Sequence, residues 1–331
     1  MNLMILKTLL LAFLIELTFA QHPTEPTPCT NQNRGHCECG NTQDGFHTYT
    51  FWMGNDQRCF TVFHPPERGS ESLPVLFSSN CYATDRLQGI EMTTSHSPGN
   101  LAAARHGYVR IGLSTPDGNW MFGNDGVIND DYPMPCKDED SKDIAYVRKI
   151  IEFIDAHPEH FDASKMYAEG FSQNSVFSAY LGHCFSDKVR GTFQGGSGLA
   201  LTGQRPYFPG CEGQVSHSDL LTCSNCEQCV QEKPCEECQY FPIYPCYNEK
   251  RPMVGCLVEY VNDPISSDQR DPDNLSSSKY MYEKLMQEGH DARMFRFAPS
   301  GQNEGGHRPP ENAEYWQIGC LGIADSCSKV P

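Results

Sequence analysis

The stretch from Lys165 to Phe185 constrains this chain most, because a short apolar strand there passes directly into a helix. The junction, residues 170–174, reads Gly-Phe-Ser-Gln-Asn. A sharp strand-to-helix turn of this kind exposes a serine hydroxyl above a sheet, with the next backbone N–H directed into the same space. The pattern favours Ser172 as a nucleophile over a serine that only caps the following helix. Asn174 stands where the usual pattern has a second glycine, and we expect it to tolerate the unusual backbone angles there.

The start of the chain has the composition of a secretory signal peptide, with a basic residue, an apolar run and a cleavage end at Ala20. Glu16 interrupts the apolar run, which argues against a membrane anchor, and no later stretch could span a bilayer. Residues 21–46 are predicted to be a lead-in rich in cysteine and proline. Residues 47–331 are long enough for one large domain with a well-buried core.

Cysteine content and charge bound the environment and the partners. The sequence has 17 cysteines, all beyond the signal peptide, which predicts an oxidising compartment and several disulfides. Because the count is odd, at least one thiol is free or pairs between chains. The net charge of -17 argues against binding to nucleic acid or to an anionic membrane surface. Asn274 begins an Asn-Leu-Ser triplet and is a glycosylation candidate in an extracellular protein.

Hydrophobic patterning predicts an opening hairpin followed by alternating strands and helices. Ile144, Val147 and Ile151 fall at helical spacing behind a cap at Asp140 or Ser141. Ser277 to Gln287 is a further predicted helix. This alternation indicates an α/β fold with a mainly parallel, doubly wound sheet. The other predicted strands are His47–Met53, Cys59–Phe63, Pro74–Ser78, Gly107–Leu113, Val189–Gln194, Met253–Val261 and Ala292–Ala298.

The alternation breaks between Cys211 and Cys246, where cysteines are dense and periodic apolar residues are few. We predict a cysteine-rich insertion, residues 211–246, that overhangs the carboxyl ends of the strands, where open α/β sheets bind ligands. Disulfides are favoured over a zinc site, because the gap from Cys229 to Cys235 is short for a zinc ribbon. The sequence therefore predicts no metal.

A nucleophilic serine needs a base that takes its proton and a carboxylate that orients the base. In a doubly wound hydrolase these residues follow in the order Ser, Asp, His, each in a loop after a strand. Asp263 comes directly after the strand that ends at Val261, and His307 lies in a glycine-rich loop after the last strand. His290 precedes that last strand and so lies at its wrong end. We predict a catalytic triad of Ser172, Asp263 and His307.

Ester or amide chemistry also requires backbone donors for the developing oxyanion. The N–H of Gln173 is one predicted donor. The second is predicted to come from Cys81 or Tyr82, in the loop after the strand that ends at Ser78. Trp120 is a candidate for lining the substrate pocket, against the alternative that it packs in the core.

Six segments of the chain, between about Thr48 and Pro310, resemble secreted esterases grouped with polyhydroxybutyrate depolymerases and feruloyl esterases. The segments are RCFTVFHP, PVLFSSNC, DIAYVRKIIEFI, MYAEGFSQN, VNDPIS and EGGHRPP. The resemblance implies an α/β-hydrolase fold and hydrolysis of a carboxylic ester through an acyl-enzyme, with no metal or organic cofactor. The family's oxyanion loop usually reads His-Gly-Cys, where this chain has Ser79, Asn80 and Cys81. The residues leave open whether the ester is a hydroxycinnamoyl-sugar, an acetyl-sugar or a polyester.

Two other functions are compatible with these residues. The first is a catalytically silent α/β-hydrolase domain that binds a partner through the cysteine-rich insertion, and the altered oxyanion loop favours it. Against it stands the complete set of Ser, Asp and His, since binding requires none of the three. The second is a serine peptidase, because the same triad cleaves amides.

Overall fold

The computed structural model describes twelve parts of the chain. The predicted signal peptide, the candidate Asn274 and the cysteine-rich insertion lie outside them. Within the described part, no helix is long and apolar enough to cross a membrane. The described residues are 23–34, 37, 39, 45–79, 98–115, 120, 141–196, 254–264, 278–287, 290–298, 306–309 and 318–323.

The strands form one nine-stranded sheet. They are β1 (Thr27–Pro28), β2 (Phe46–Met53), β3 (Asp56–Phe63), β4 (Leu73–Ser79), β5 (Val109–Leu113), β6 (Phe161–Phe171), β7 (Val189–Gly195), β8 (Val254–Tyr260) and β9 (Asp291–Phe297). Their order in the sheet is β1-β2-β3-β5-β4-β6-β7-β8-β9. β3 runs antiparallel to β2 and β5, and the strands from β5 across to β9 run parallel. This arrangement confirms the predicted hairpin and the mainly parallel sheet.

Helices are described between several of these strands: α1 (Pro98–His106), α2 (Lys142–Asp155), α3 (Gln173–Cys184) and α4 (Ser278–Gln287). Ser141 is the residue that caps α2, because its Oγ accepts a hydrogen bond of 3.3 Å from the Ile144 N–H. Helix α1 was not predicted from the sequence, because it buries the small side chains of Ala102 and Ala103 and lacks a stripe of large apolar residues.

The sheet is buried on both faces, as a parallel sheet with crossover helices requires. In β4, Val75 and Phe77 belong to the core cluster that includes residues of α2 and α3. Leu76, between them, belongs to the opposite cluster, which includes Ala102 and Ala103 of α1. Side chains that alternate along one strand therefore reach two different helical layers.

The strand order reverses beside β4, because the chain passes from β4 to β5 on one side and then returns to β6 on the other. Ligands of open α/β sheets bind at such a switch point, beyond the carboxyl ends of the strands. Ser79, the last residue of β4, pairs there with Gly170 of β6, just before the predicted nucleophile. The topology and the strand–turn–helix at this point are those of the α/β-hydrolase fold, which confirms the predicted fold class.

Disulfides tie peripheral segments to the sheet, as the cysteine content predicted. Cys29 bonds to Cys39, and Cys37 bonds to Cys59 of β3, so the lead-in is fastened to the domain. The bond between Cys256 and Cys320 joins β8 to the helical residues 318–321. Cross-links of this kind stabilise a fold mainly by restricting its unfolded chain.

His290 gives stability a pH dependence that can be measured. It is buried immediately before β9, and burial lowers the pKa of this histidine from an ordinary value of 6.5 to about 4. As the pH falls from about 6.5 to about 4, the unfolded chain takes up a proton that the folded chain excludes. The contribution of His290 to the free energy of unfolding should therefore fall by about 3 kcal/mol across this window and hold its full value above it. Unfolding with urea at several pH values checks this, and NMR titration should find the His290 ring still neutral at about pH 5. A protonated ring at that pH would contradict the expectation.

Candidate active site

Ser172 lies at the junction of β6 and α3 in a strained backbone conformation. Its φ is 58° and its ψ is -128°, and it is the one non-glycine residue of the described part with a positive φ. Such a conformation costs on the order of 1–3 kcal/mol and persists only where the surroundings impose it. The Ser172 N–H donates to the Gly195 carbonyl at 2.8 Å, and its side chain makes no capping hydrogen bond to α3. The capping alternative is therefore wrong for this serine.

Close packing between β6 and α3 explains the glycine at the start of the turn. A Cβ atom on Gly170 would fall far inside contact distance of the Asn174 carbonyl. Asn174, in contrast, has no positive φ and lies buried in the first turn of α3. The expectation that this position needs unusual backbone angles is thus wrong, which explains why a residue other than glycine fits there.

Trp120 is a buried residue next to this turn. Its Nε1–H donates to Oδ1 of Asn174, and its ring stacks on Phe177 with centroids 3.7 Å apart. The side chain is only 2% exposed and belongs to the core cluster under α3. Trp120 therefore packs in the core, which was the alternative to lining a substrate pocket. Its indole N–H supplies a hydrogen-bond donor to Asn174, the residue that stands in place of the usual glycine.

The structure brings together the three side chains predicted as a triad. His307 Nε2 lies 2.7 Å from Ser172 Oγ. His307 Nδ1 lies 3.2 Å and 3.1 Å from the two carboxylate oxygens of Asp263. With Nδ1 protonated, the ring donates to the carboxylate, and Nε2 is left to accept the Ser172 proton. Asp263 is 1% exposed, so its charge acts on the imidazole with little screening by water.

Phe171 packs against the histidine of the candidate triad. Its ring packs against the His307 ring at a centroid distance of 5.1 Å. The Phe171 ring also lies so close to the end of β7 that a Cβ on Gly195 or Gly196 would clash with it. Two glycines thus make the space for the aromatic ring on which the imidazole rests.

The predicted oxyanion donors are described in part. Gln173 is the first residue of α3, and the first N–H groups of a helix have no acceptor within the helix. Cys81 and Tyr82 lie outside the described residues. β4, which leads towards them, ends at Ser79, and the Ser79 Oγ donates to the Glu169 carbonyl at 3.2 Å.

A buried ionic network lies behind the ends of β4 and β6. The Arg110 Nη2 group pairs with the Glu169 carboxylate at 2.9 Å, and the two side chains are only 4% and 12% exposed. Arg110 also donates from Nε to Ser78 Oγ and from Nη1 to Asn100 Oδ1, each at 3.1 Å. The Ser78 hydroxyl in turn donates to Glu169. The network fixes β4, β5, β6 and α1 to one another next to the candidate site.

Sequence reasoning missed this network and the packing of Phe171. A signal for the network was present, because Arg110 and Glu169 each stand among apolar or small residues, in Val-Arg-Ile-Gly-Leu and Met-Tyr-Ala-Glu-Gly-Phe. A charge in a strand buried on both faces needs a partner. In the described residues, no group of three or more His, Cys, Asp or Glu side chains could hold a metal ion.

Comparison with known proteins finds similarity in solved structures alone. No protein-family model matches the chain, and no curated protein matches it. The chain is similar to a thermostable esterase, with 12% identity and a TM-score of 0.49, over 83% of this chain and 60% of that one. It is similar to a ferulic acid esterase from Anaeromyces mucronatus, solved with ferulic acid, with 13% identity and a TM-score of 0.49, over 89% and 95% of the two chains. It is also similar to an acylaminoacyl peptidase, with 14% identity and a TM-score of 0.44, over 93% and 41%.

The buried ion pair behind the site predicts a measurable loss of stability. Glu169→Gln leaves the Arg110 charge buried without its carboxylate, and breaking a buried pair from one side typically costs about 3 kcal/mol or more. The exposed pair of Lys188 with Asp155 is a matched control, because its side chains are 33% and 40% exposed. Asp155→Asn should cost about 0.5 kcal/mol. Urea unfolding of both variants measures the two losses, and equal losses would contradict a special role for the buried pair.

Proposed function

We propose that this chain is a serine hydrolase that cleaves carboxylic esters through an acyl-enzyme. Ser172 is the nucleophile, His307 the general base and acid, and Asp263 the carboxylate that orients the imidazole. The observation that carries the proposal is the continuous hydrogen-bonded chain from Ser172 Oγ through both ring nitrogens of His307 to Asp263. A serine hydroxyl is a weak nucleophile until a positioned base takes its proton, and this arrangement supplies that base.

In the proposed reaction, Ser172 Oγ attacks the ester carbonyl carbon while its proton passes to His307 Nε2. Asp263 stabilises the imidazolium that forms. The tetrahedral intermediate then breaks its bond to the alcohol oxygen, which takes the proton from His307. A water molecule attacks the acyl-enzyme, with His307 again accepting a proton, and the acid leaves as Ser172 is restored. The proposal assigns the oxyanion contacts to the N–H of Gln173 and to that of Cys81 or Tyr82.

The strained conformation of Ser172 favours this proposal over a silent binding domain. Binding through another part of the surface gains nothing from a serine held at positive φ, and strained residues of this kind cluster at active sites. Asp263 is also buried, and its carboxylate lies at hydrogen-bond distance from Nδ1 of His307, as the orienting carboxylate of a triad must. Both features are expected of a serine hydrolase with an assembled site.

The substrate class follows from the resemblance to feruloyl esterases and polyhydroxybutyrate depolymerases. We propose an ester whose acid or alcohol is linked to a carbohydrate or polymer, cleaved outside the cell. The disulfides in the lead-in and at β8 support an oxidising compartment. The proposed chemistry requires neither a metal nor an organic cofactor.

A fluorophosphonate probe tests the proposal directly, because it labels a serine only where a base activates it. The purified, disulfide-intact protein should carry one adduct on Ser172, located by mass spectrometry. Ser172→Ala should abolish the adduct and the turnover of p-nitrophenyl acetate, and Asp263→Asn should reduce turnover by about 10³-fold or more. The exposed Ser164 gives a matched control, and Ser164→Ala should behave as the wild type.

Two results would contradict the proposal: turnover retained in folded Ser172→Ala protein, or no adduct on the folded wild type. A parallel assay with p-nitroanilides of acylated amino acids separates the peptidase alternative. Cleavage of anilides at rates comparable to esters would replace the esterase proposal with a peptidase that uses the same three residues.

A further inference from the structure

The segment that carries His307 is joined to the loop after β8 by a backbone-to-side-chain hydrogen bond. It comprises residues 306–309, beyond the end of β9. Gly306 has a φ of +78°, in the left-handed region that favours glycine, so the backbone turns sharply just before the histidine. The Gly306 N–H donates to Oδ1 of Asn262 at 2.8 Å. This bond joins the loop after β9 to the loop after β8.

Asn262 is placed to act as an anchor for that segment. It follows β8 and immediately precedes Asp263, and the Asp263 N–H donates to the Tyr260 carbonyl at 2.9 Å, which holds the turn on the strand. The neighbouring side chain, Asp263, binds the His307 ring, while the Asn262 side chain binds the backbone next to that ring. Adjacent residues of one loop thus fix both the ring and the main chain of the histidine.

We propose that Asn262 is a positioning residue for His307, which acts through the Gly306 N–H to hold the imidazole at hydrogen-bond distance from Ser172. The inference rests on the proposed function, since it assigns a role in the same reaction. Asn262 contacts the loop and not the reacting atoms, and its side chain is exposed to solvent, so it adds little to the core.

The expected effect follows from the geometry of proton transfer. His307 Nε2 now lies 2.7 Å from Ser172 Oγ. Without the anchor, the Gly306 N–H bonds to water, and the segment samples positions in which the ring is displaced. A misplacement of about 1 Å at a catalytic group can cost about 10²-fold in rate. The loss should fall on kcat, because substrate binding does not require the proton transfer.

Three variants of the full chain test the proposal. Asn262→Ala removes the acceptor, Asn262→Asp keeps an oxygen in the same place, and Asn55→Ala truncates an exposed asparagine in the turn between β2 and β3. The assays are kcat and KM for p-nitrophenyl acetate, the rate of fluorophosphonate labelling, and hydrogen exchange of the Gly306 amide by NMR. Thermal unfolding reports whether each variant is folded.

For Asn262→Ala we expect kcat and the labelling rate to fall by about 10-fold or more, with KM nearly unchanged and Tm lowered by no more than a few degrees. The Gly306 amide should exchange faster. Asn262→Asp should restore amide protection and most of kcat, and Asn55→Ala should match the wild type. Rescue by the aspartate separates positioning from a general loss of structure.

The outcomes that overturn the inference differ from those that overturn the proposed function. Wild-type kcat in Asn262→Ala, or no rescue in Asn262→Asp, removes the role of Asn262 while the serine hydrolase stands. A wild-type protein that neither reacts with the probe nor turns over ester removes both. An unprotected Gly306 amide in the wild type contradicts the anchor itself, whatever the activity.

Discussion

The close approach of α3 to the end of β6 is the constraint on which the site depends. The helix begins one residue after Ser172, and it packs so tightly on the strand that Gly170 has no space for a side chain. With both elements fixed in the core, the connecting residue must take a positive φ. The strain at Ser172 is therefore imposed by packing around it, and the stability of the whole domain maintains it.

The same packing decides which departures from the usual turn sequence are tolerated. The position of the second glycine, here Asn174, lies within the helix, where backbone angles are ordinary. It therefore needs only space and a partner for its amide, and Trp120 supplies that partner. A buried amide without a partner would destabilise the domain by about 1–3 kcal/mol. Trp120 and Asn174 thus act as a unit in the core beneath the site.

The fold could be predicted from the sequence wherever the pattern of residue types is compatible with only a few local structures. The apolar strands and the periodic apolar residues of α2 predicted the parallel sheet, because a strand or a helix buries its large apolar side chains only when they recur with its own period. The order of Ser172, Asp263 and His307 at strand ends anticipated which side chains meet. In contrast, α1 lies over the sheet on two alanines, and so small an apolar face leaves little periodic signal.

Contacts that depend on the order of the strands or on a single backbone hydrogen bond could not be predicted from hydrophobic patterns. The pairing of Arg110 with Glu169 requires that β5 and β6 flank β4, an order that hydrophobic patterns do not encode. The bond from Gly306 to Asn262 depends on a main-chain donor, which every residue but proline carries. Each loop residue is ordinary by itself, and its role comes from the strand end at which the topology places it.

The members of the candidate triad are consequently held by different forces. Ser172 is fixed by the dense packing of β6 and α3, and Asp263 is buried at the end of β8. The His307 side chain is 23% exposed. Among the described residues, it contacts the Phe171 ring and hydrogen-bonds to Ser172 and Asp263, and the turn at Gly306 precedes it. Packing is lost only when the core opens, whereas exposed hydrogen bonds exchange readily with water. The histidine is therefore the member whose position is set most locally, and small changes in the loops after β8 and β9 can adjust it without altering the fold.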